Sequence, residues 1–140
     1  MTFIEIKEKL SEYRDLKKLL TSEQERIATI RSQLYGVKAT DYSTERVDGT
    51  RENTYLDTLL DRLYKLETRA EIIMQELFET EDFIADNMVG LTAIEQAMVI
   101  DRYMNGWSWK KICKKYDYEE SQPYKIINRA LRKLSENTSG

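Results

Sequence analysis

The 140-residue chain carries 22 Lys and Arg against 25 Asp and Glu, with five Gly, one Pro and no His, and its formal net charge is −3. Many charged residues and few Gly and Pro favour long helices, and no period-two alternation of apolar residues predicts a sheet. Without His, and with Cys113 as its single cysteine, the chain offers no Cys-based zinc site and no internal disulfide. We therefore expect an all-α protein without a cofactor or metal.

Neither a signal peptide nor a membrane segment is predicted. The first ten residues, MTFIEIKEKL, are charged throughout, whereas a signal peptide needs an apolar stretch. No apolar run approaches the roughly 18 residues of a membrane span. We therefore expect a cytoplasmic protein.

Charge is distributed unevenly along the chain. Residues 1–105 carry 14 Lys/Arg and 21 Asp/Glu, a net charge of −7, whereas residues 106–140 carry 8 and 4, a net charge of +4. A basic end on an acidic chain is the pattern of a nucleic-acid-binding protein, because the phosphate backbone attracts the basic part alone. The alternative is a simple clustering of charges without a function.

Apolar residues that recur every seven positions predict one long helix over residues 3–35. The repeating positions are Ile6, Tyr13, Leu20, Ile27 and Leu34. Leu16 and Ile30 lie three places after two of them, as expected for the second apolar position of a heptad. Lys9 and Glu23 interrupt that second position.

A second heptad pattern predicts a helix from about Thr54 to Asn87. Its repeating residues are Leu56, Leu63, Ala70, Leu77 and Ile84. Between the two helices, residues 36–52 contain Gly, Asp, Ser and Thr, which predict a loop. A functional loop and a tolerated surface excursion are equally compatible with its length. Two helices of similar length and matching heptads predict an antiparallel hairpin over residues 1–88.

The predicted hairpin has a thin apolar core. Several large apolar residues lie off its seam: Leu10, Leu19, Leu60, Tyr64 and Phe78. We expect two hairpins to associate, most simply as a homodimer with a four-helix bundle. The alternative is that the C-terminal residues fold back and cover these side chains.

Residues 89–140 are predicted to form a helix-turn-helix DNA-binding domain. Thr92 and Glu95 have the spacing of a capping box, and the helix that follows ends at Asn105–Gly106. Its apolar residues are Ile94, Ala97, Met98 and Tyr103.

Ser108 can cap the next helix, which ends in a tight turn at Asp117–Tyr118. The apolar residues of that helix are Trp109, Ile112, Cys113 and Tyr116. A last helix begins at about Ser121, with Pro123 in its first turn, where a missing N–H costs little. Its inward residues are predicted to be Tyr124, Ile127, Ala130, Leu131 and Leu134.

The outward residues of these two helices predict contacts to duplex DNA. Gln and Asn can pair with adenine, Arg and Lys can donate to guanine, and lysines along the preceding helix can hold the phosphates. We assign base readout to Gln122, Lys125, Asn128 and Arg129. We assign the DNA backbone to Lys110, Lys111, Lys114, Lys115 and Arg132. The alternative is a solvated basic face on a small helical domain.

The stretch from Leu91 to Leu134 resembles region four of bacterial sigma factors. The residues that carry this resemblance are Leu91-Thr92-x-x-Glu95, Arg102-Tyr103 with Gly106, Trp109 to Cys113, and Arg129-Ala130-Leu131-x-x-Leu134. In detail the chain looks closer to phage transcriptional regulators of the ArpU/RinA type and to a related phage family without an assigned function. The helical hairpin, the loop ATDYSTERVDG and the element Gly106-Trp107-Ser108-Trp109 carry that closer resemblance.

The resemblance implies a phage or prophage of a Gram-positive bacterium, a location in the host cytoplasm, and a role as an activator of late or packaging genes. It also raises the prospect of a direct contact with host RNA polymerase. Two positions depart from the family pattern: Glu119 replaces a small capping residue, and Pro123 replaces Val.

Two other classes of protein fit the same organisation. A small terminase-like DNA-packaging component would also join a DNA-binding domain to a helical hairpin, but it would assemble into a ring. A protein–protein adaptor acting on RNA polymerase would show no salt-dependent affinity for duplex DNA. We expect no enzymatic activity, because the carboxylates have the spacing of a solvated helix surface and Cys113 lies on an apolar stripe.

Overall fold

The computed structural model describes residues 1–43 and 49–138, and the side chains of residues 1–36 and 54–138. Within those ranges the fold consists of helices and contains no strand, which confirms the all-α prediction. The five α-helices are α1 (Phe3–Ser43), α2 (Gly49–Asp86), α3 (Ala93–Val99), α4 (Trp109–Tyr116) and α5 (Gln122–Thr138). A π-helical turn, Ile100–Met104, continues α3. None of the helices in the described ranges combines the length and the apolar character that a membrane crossing requires.

The two long helices extend well into residues 36–52, where a loop was predicted. Helix α1 continues to Ser43 and α2 already begins at Gly49, and residues 44–48 lie outside the described part of the chain. Gly36 stands inside α1, although Gly costs about 1 kcal/mol relative to Ala in a helix. The predicted boundaries were wrong because, once a helix is nucleated, each further residue adds a hydrogen bond at little cost.

The described residues form two compact units, Lys18–Gln75 and Met1–Lys17 with Glu76–Gly140. In this division the first residues of α1 and the last turns of α2 belong to the unit of the C-terminal helices, and the predicted domain boundary at residue 88 stays a prediction. The hairpin and the C-terminal helices are therefore not separated at a single point of the chain.

In the unit Lys18–Gln75, the two long helices pack together along the predicted seam. Its buried core consists of Ile27, Ile30 and Leu34 from α1 and Leu59, Leu66 and Ala70 from α2. The seam residues Leu20, Leu56 and Leu63 are partly buried against it. Across the edge of the seam, Arg31 pairs with Glu67 at 2.7 Å, but both side chains are exposed, so this pair adds little stability.

Glu23 occupies a buried position of this seam, with 5% of its surface exposed. One carboxylate oxygen lies 3.7 Å from the Arg69 guanidinium and 3.9 Å from that of Arg26. The other oxygen is buried and has no hydrogen-bond donor among the described residues. A buried acceptor without a donor costs about 1–3 kcal/mol, so Glu23 weakens the pairing of the two helices.

In the other unit, the beginning of α1 packs on the C-terminal helices. Ile6 and Leu10 are buried with Ile84 of α2 in one cluster with residues of α3, α4 and α5. Ile6 was predicted to line the hairpin seam, and it shares this cluster both with the seam residue Ile84 and with the apolar faces of the C-terminal helices. The alternative prediction, in which the C-terminal residues fold back over the off-seam side chains, is thus confirmed for Leu10.

Two other predicted seam residues are buried in the same unit. Tyr13 donates a hydrogen bond to the Glu81 carboxylate, and Leu77 is buried on α2. The remaining off-seam residues, Leu19, Leu60, Tyr64 and Phe78, stay exposed. Of the five off-seam residues, Leu10 is therefore the one that is buried.

Candidate nucleic-acid interface

Local capping determines where the C-terminal helices begin and end. The Thr92 hydroxyl accepts from the Glu95 N–H at 3.2 Å, and the Glu95 carboxylate accepts from the Thr92 N–H at 3.1 Å. This reciprocal pair is the predicted capping box. The π-helical turn stops at Asn105, and Gly106 follows with a φ of 69°, a left-handed conformation that glycine adopts without strain.

Helices α4 and α5 are joined by a tight turn. The Ser108 hydroxyl caps α4 by accepting from the Lys111 N–H at 3.2 Å. Helix α4 ends at Tyr116, and the next residue, Asp117, has a left-handed φ of 55°. The Tyr118 N–H donates to the Cys113 carbonyl at 3.0 Å. Aspartate tolerates this conformation better than most side chains. The predicted cap and the predicted turn are both confirmed.

Helix α5 has one apolar face and one polar face. Its buried residues are Pro123, Ile127, Ala130, Leu131 and Leu134. The residues exposed on the opposite side are Gln122, Lys125, Arg129, Arg132 and Glu136. At 3.6 residues per turn these five side chains fall within about 80° of the helix circumference. Three cations and an amide, followed by one carboxylate near the end of the helix, therefore form a single exposed stripe along α5.

Tyr124 and Asn128 differ from the prediction, and one apolar residue of α3 is exposed. Tyr124 was predicted to point inward, but 48% of its surface is exposed, and its ring meets the edge of Trp109 with centroids 5.6 Å apart. A tyrosine can keep its hydroxyl in water while its ring packs on a neighbour. Ile94, one of the apolar residues of α3, is exposed. Asn128, assigned to base readout, is half-buried beside the exposed stripe.

The cations assigned to DNA fall into two groups. Lys110, Lys114, Lys125 and Arg129 are exposed and form no ion pair within the described part of the chain. The others contact the protein itself. The Lys111 ammonium lies 4.0 Å from the centroid of the Trp107 ring, Lys115 pairs with Asp101, and Arg132 lies 5.9 Å from the Phe3 ring.

Asp101 in the π-helical turn is buried, with 4% of its surface exposed, and it accepts hydrogen bonds from two side chains of α4. Its carboxylate accepts hydrogen bonds from the Lys115 ammonium at 2.9 Å, the Tyr116 hydroxyl at 2.7 Å and the Asn105 amide at 3.3 Å. Burial alone would raise the pKa of Asp101, but the bonds from Lys115 and Tyr116 outweigh it and the pKa is lowered. The same contacts raise the pKa of Lys115, through its bond to Asp101.

Glu95 connects α3 to α5 in a similar way. Its buried carboxylate accepts from the Lys133 ammonium at 2.7 Å. Burial would raise the pKa of Glu95, but the bonds from Lys133 and Thr92 lower it below its ordinary value. Neither Asp101 nor Glu95 was predicted to pair with a lysine, because each partner lies at least 14 residues away along the chain.

The two tryptophans pack partly into the core, and at least one cation lies over each ring. Trp107 lies under Lys111 and Lys115, at 4.0 and 4.7 Å. The Arg102 guanidinium lies 4.3 Å from the centroid of the Trp109 ring and donates to the Trp107 carbonyl at 2.9 Å. Such contacts stabilise by about 0.5–1 kcal/mol at exposed sites, and they hold both rings beside the basic surface.

No group of three potential metal ligands occurs in residues 1–43 and 49–138. Comparisons of the chain with models of protein families, with curated proteins and with solved structures find no match.

Proposed function

We propose that the protein is a sequence-specific regulator of transcription that binds duplex DNA through a helix-turn-helix formed by α4 and α5. One observation supports this most directly. The polar stripe of α5 stands opposite its buried face, and its cations Lys125 and Arg129, like Lys110 and Lys114 of α4, have no carboxylate partner within the described residues.

The chemistry of that stripe suits a DNA groove. An α-helix with its side chains is about 10–12 Å wide and fits the major groove, which is about 12 Å wide. Gln122 and Lys125 lie in the first turn of α5, the part of a recognition helix that reaches base edges. Arg129, one turn further, can donate twice to guanine, and Lys110 and Lys114 can hold phosphates.

The resemblance to phage regulators of the ArpU/RinA type supports a role in transcription. We propose that this role is the activation of phage late or packaging genes. Self-association fits the same role, because paired recognition helices bind repeated half-sites. The exposed apolar residues of the hairpin, among them Tyr64 with 70% of its surface exposed, are the surface on which we propose that two copies meet.

The test is the affinity for a random-sequence duplex, measured by fluorescence anisotropy between 50 and 200 mM salt. We compare the wild type with Lys110→Gln/Lys114→Gln and with the control Arg62→Gln/Lys65→Gln, which removes the same charge from exposed positions of α2. Each lost phosphate contact makes the slope of log affinity against log salt shallower by about 0.9. We expect a change of about 1.8 for the α4 variant and none for the control.

Two results would contradict the proposal. A wild type whose binding does not weaken with salt would not be neutralising phosphates. Equal slopes for the two double variants would mean that the cations of α4 do not touch DNA. If DNA binding is observed, selection of bound duplexes from a random pool will identify the preferred sequence and the spacing of its half-sites.

A further inference from the structure

A group of cations and aromatic rings lies where the beginning of α1 meets α4 and α5. It consists of Lys7 and Arg14 from α1, Arg102 from the π-helical turn, Trp109 from α4 and Tyr124 from α5. All five belong to one compact unit. The Lys7 ammonium lies 6.0 Å from the centroid of the Tyr124 ring, which meets the edge of Trp109, and the Arg102 guanidinium covers Trp109 at 4.3 Å. We call these residues the cation–aromatic cluster.

The positive charges of this cluster are not neutralised. Lys7, Arg14 and Arg102 form no ion pair with a carboxylate in the described part of the chain. The Nε atom of Arg14 is buried and has no hydrogen-bond acceptor among the described residues. Burial and the nearby charge of Arg14 both lower the pKa of Arg102. Two arginine charges close together repel each other, and a buried donor without an acceptor costs free energy. A bound anion would offset both costs.

The cluster also adjoins the surface proposed to bind DNA. Trp109 immediately precedes Lys110 on α4, and Tyr124 immediately precedes Lys125 on α5. On α1, Lys7 and Arg14 lie two turns apart on the same face. On its other side, Lys7 borders a groove that is also lined by Glu8, Glu12 and Asp15. The Lys17 ammonium donates to the Met104 carbonyl, which ties α1 to the end of the π-helical turn.

We propose that the cation–aromatic cluster binds a phosphate group of the DNA backbone, so that α1 supplies a contact outside the two helices of the helix-turn-helix. Guanidinium groups match the oxygens of a phosphate with paired donors, and the two rings hold the arginine and the lysine at its edge. The inference rests on the proposed function, and it adds Lys7 and Arg14 to the interface.

The first test compares Lys7→Gln with Lys9→Gln. Both remove one positive charge from the same helix, but the Lys9 ammonium lies over the Phe83 ring at 4.6 Å, away from the cluster. We expect the salt slope of duplex binding to become shallower by about 0.9 for Lys7→Gln, which reduces the loss of affinity between 50 and 200 mM salt by about 3.5-fold. Lys9→Gln should match the wild type. Because Lys7 is exposed, this variant does not endanger folding.

Arg14 is tested with a pair of variants. Arg14→Gln should flatten the salt slope as Lys7→Gln does, and Arg14→Lys, which keeps the charge, should restore most of it. A purely structural role of Arg14 would change the melting temperature of both variants without changing the slope, and that result would overturn the role assigned to it.

The second test measures the fluorescence emission of Trp109, which belongs to the cluster. The chain has two tryptophans, so Trp107→Phe leaves Trp109 as the sole tryptophan fluorophore. We expect a 20-base-pair duplex to change the Trp109 emission, and the change to disappear when Lys7→Gln and Arg14→Gln are added. A Glu-rich peptide should leave the emission unaltered.

The outcomes separate this inference from the proposed function. If the wild type and the α4 variants bind DNA as expected but Lys7→Gln and Lys9→Gln share one slope, the cluster is no phosphate site and the proposed function stands. If the wild type does not bind duplex DNA, both fail. If the Glu-rich peptide alone changes the emission of Trp109, the cluster binds an acidic protein segment and the inference is overturned.

Discussion

Replacing Asp101 with Asn tests how the π-helical turn holds α4. The substitution keeps the shape of the side chain but removes the charge that accepts from Tyr116 at 2.7 Å, Lys115 at 2.9 Å and Asn105 at 3.3 Å. The bond from Asn105 is long and contributes little, and the exposed Lys115 ammonium is screened by solvent. The bond from Tyr116 remains. Hydrogen bonds to charged groups contribute about 1.5–3 kcal/mol and neutral ones about 0.5–1.5 kcal/mol, so we expect a loss of about 1–2 kcal/mol.

Urea denaturation followed by circular dichroism measures this loss at pH 7. The pH dependence supplies a second check, because the pKa of Asp101 is lowered in the folded state. A carboxyl with a lowered pKa stabilises the fold above its unfolded pKa, which is about 3.9, and this contribution disappears as the pH falls through the folded value. The difference between wild type and Asp101→Asn should therefore be full at pH 7 and shrink below about pH 4. Equal stabilities at pH 7, or a difference that persists undiminished into acid, would refute the reasoning.

Three further substitutions test other parts of the molecule. Arg129→Ala should reduce discrimination at one base position by about 1–3 kcal/mol in competition binding, whereas an equal loss on all sequences would make Arg129 a backbone contact. Glu23→Leu should stabilise the protein by about 1–2 kcal/mol in urea denaturation, since it removes a buried oxygen without a donor; a less stable variant would show that the pairing with Arg69 outweighs this cost. Tyr64→Glu should convert a dimer to a monomer in light scattering at unchanged helix content, and an unaltered mass would move the self-association surface elsewhere.

The local features of the fold were predictable because they depend on neighbours three or four residues apart. The heptads of α1 and α2 predicted two long helices that pack together, and the core of Ile27, Ile30 and Leu59 confirms this. At the two caps, the hydroxyls of Thr92 and Ser108 accept hydrogen bonds from the backbone N–H three positions on. The period of α5 likewise predicted four of its buried residues and the stripe of Lys125 and Arg129 opposite them.

The tertiary structure alone decided which apolar surfaces meet. Ile6 repeats in phase with the hairpin seam, but besides the seam residue Ile84 its cluster includes residues of helices that follow more than 80 residues later. Spacing could not reveal these partners, because apolar surfaces attract one another without a directional preference. Separation along the chain also hides the pairing of Asp101 with Lys115, 14 residues away, and the contact of Lys7 with the Tyr124 ring. The amino-acid sequence by itself therefore determined the helices, their caps and the basic stripe of α5. Only the folded chain brought the first helix to the edge of that stripe, because contacts between distant segments depend on the packing of the whole unit.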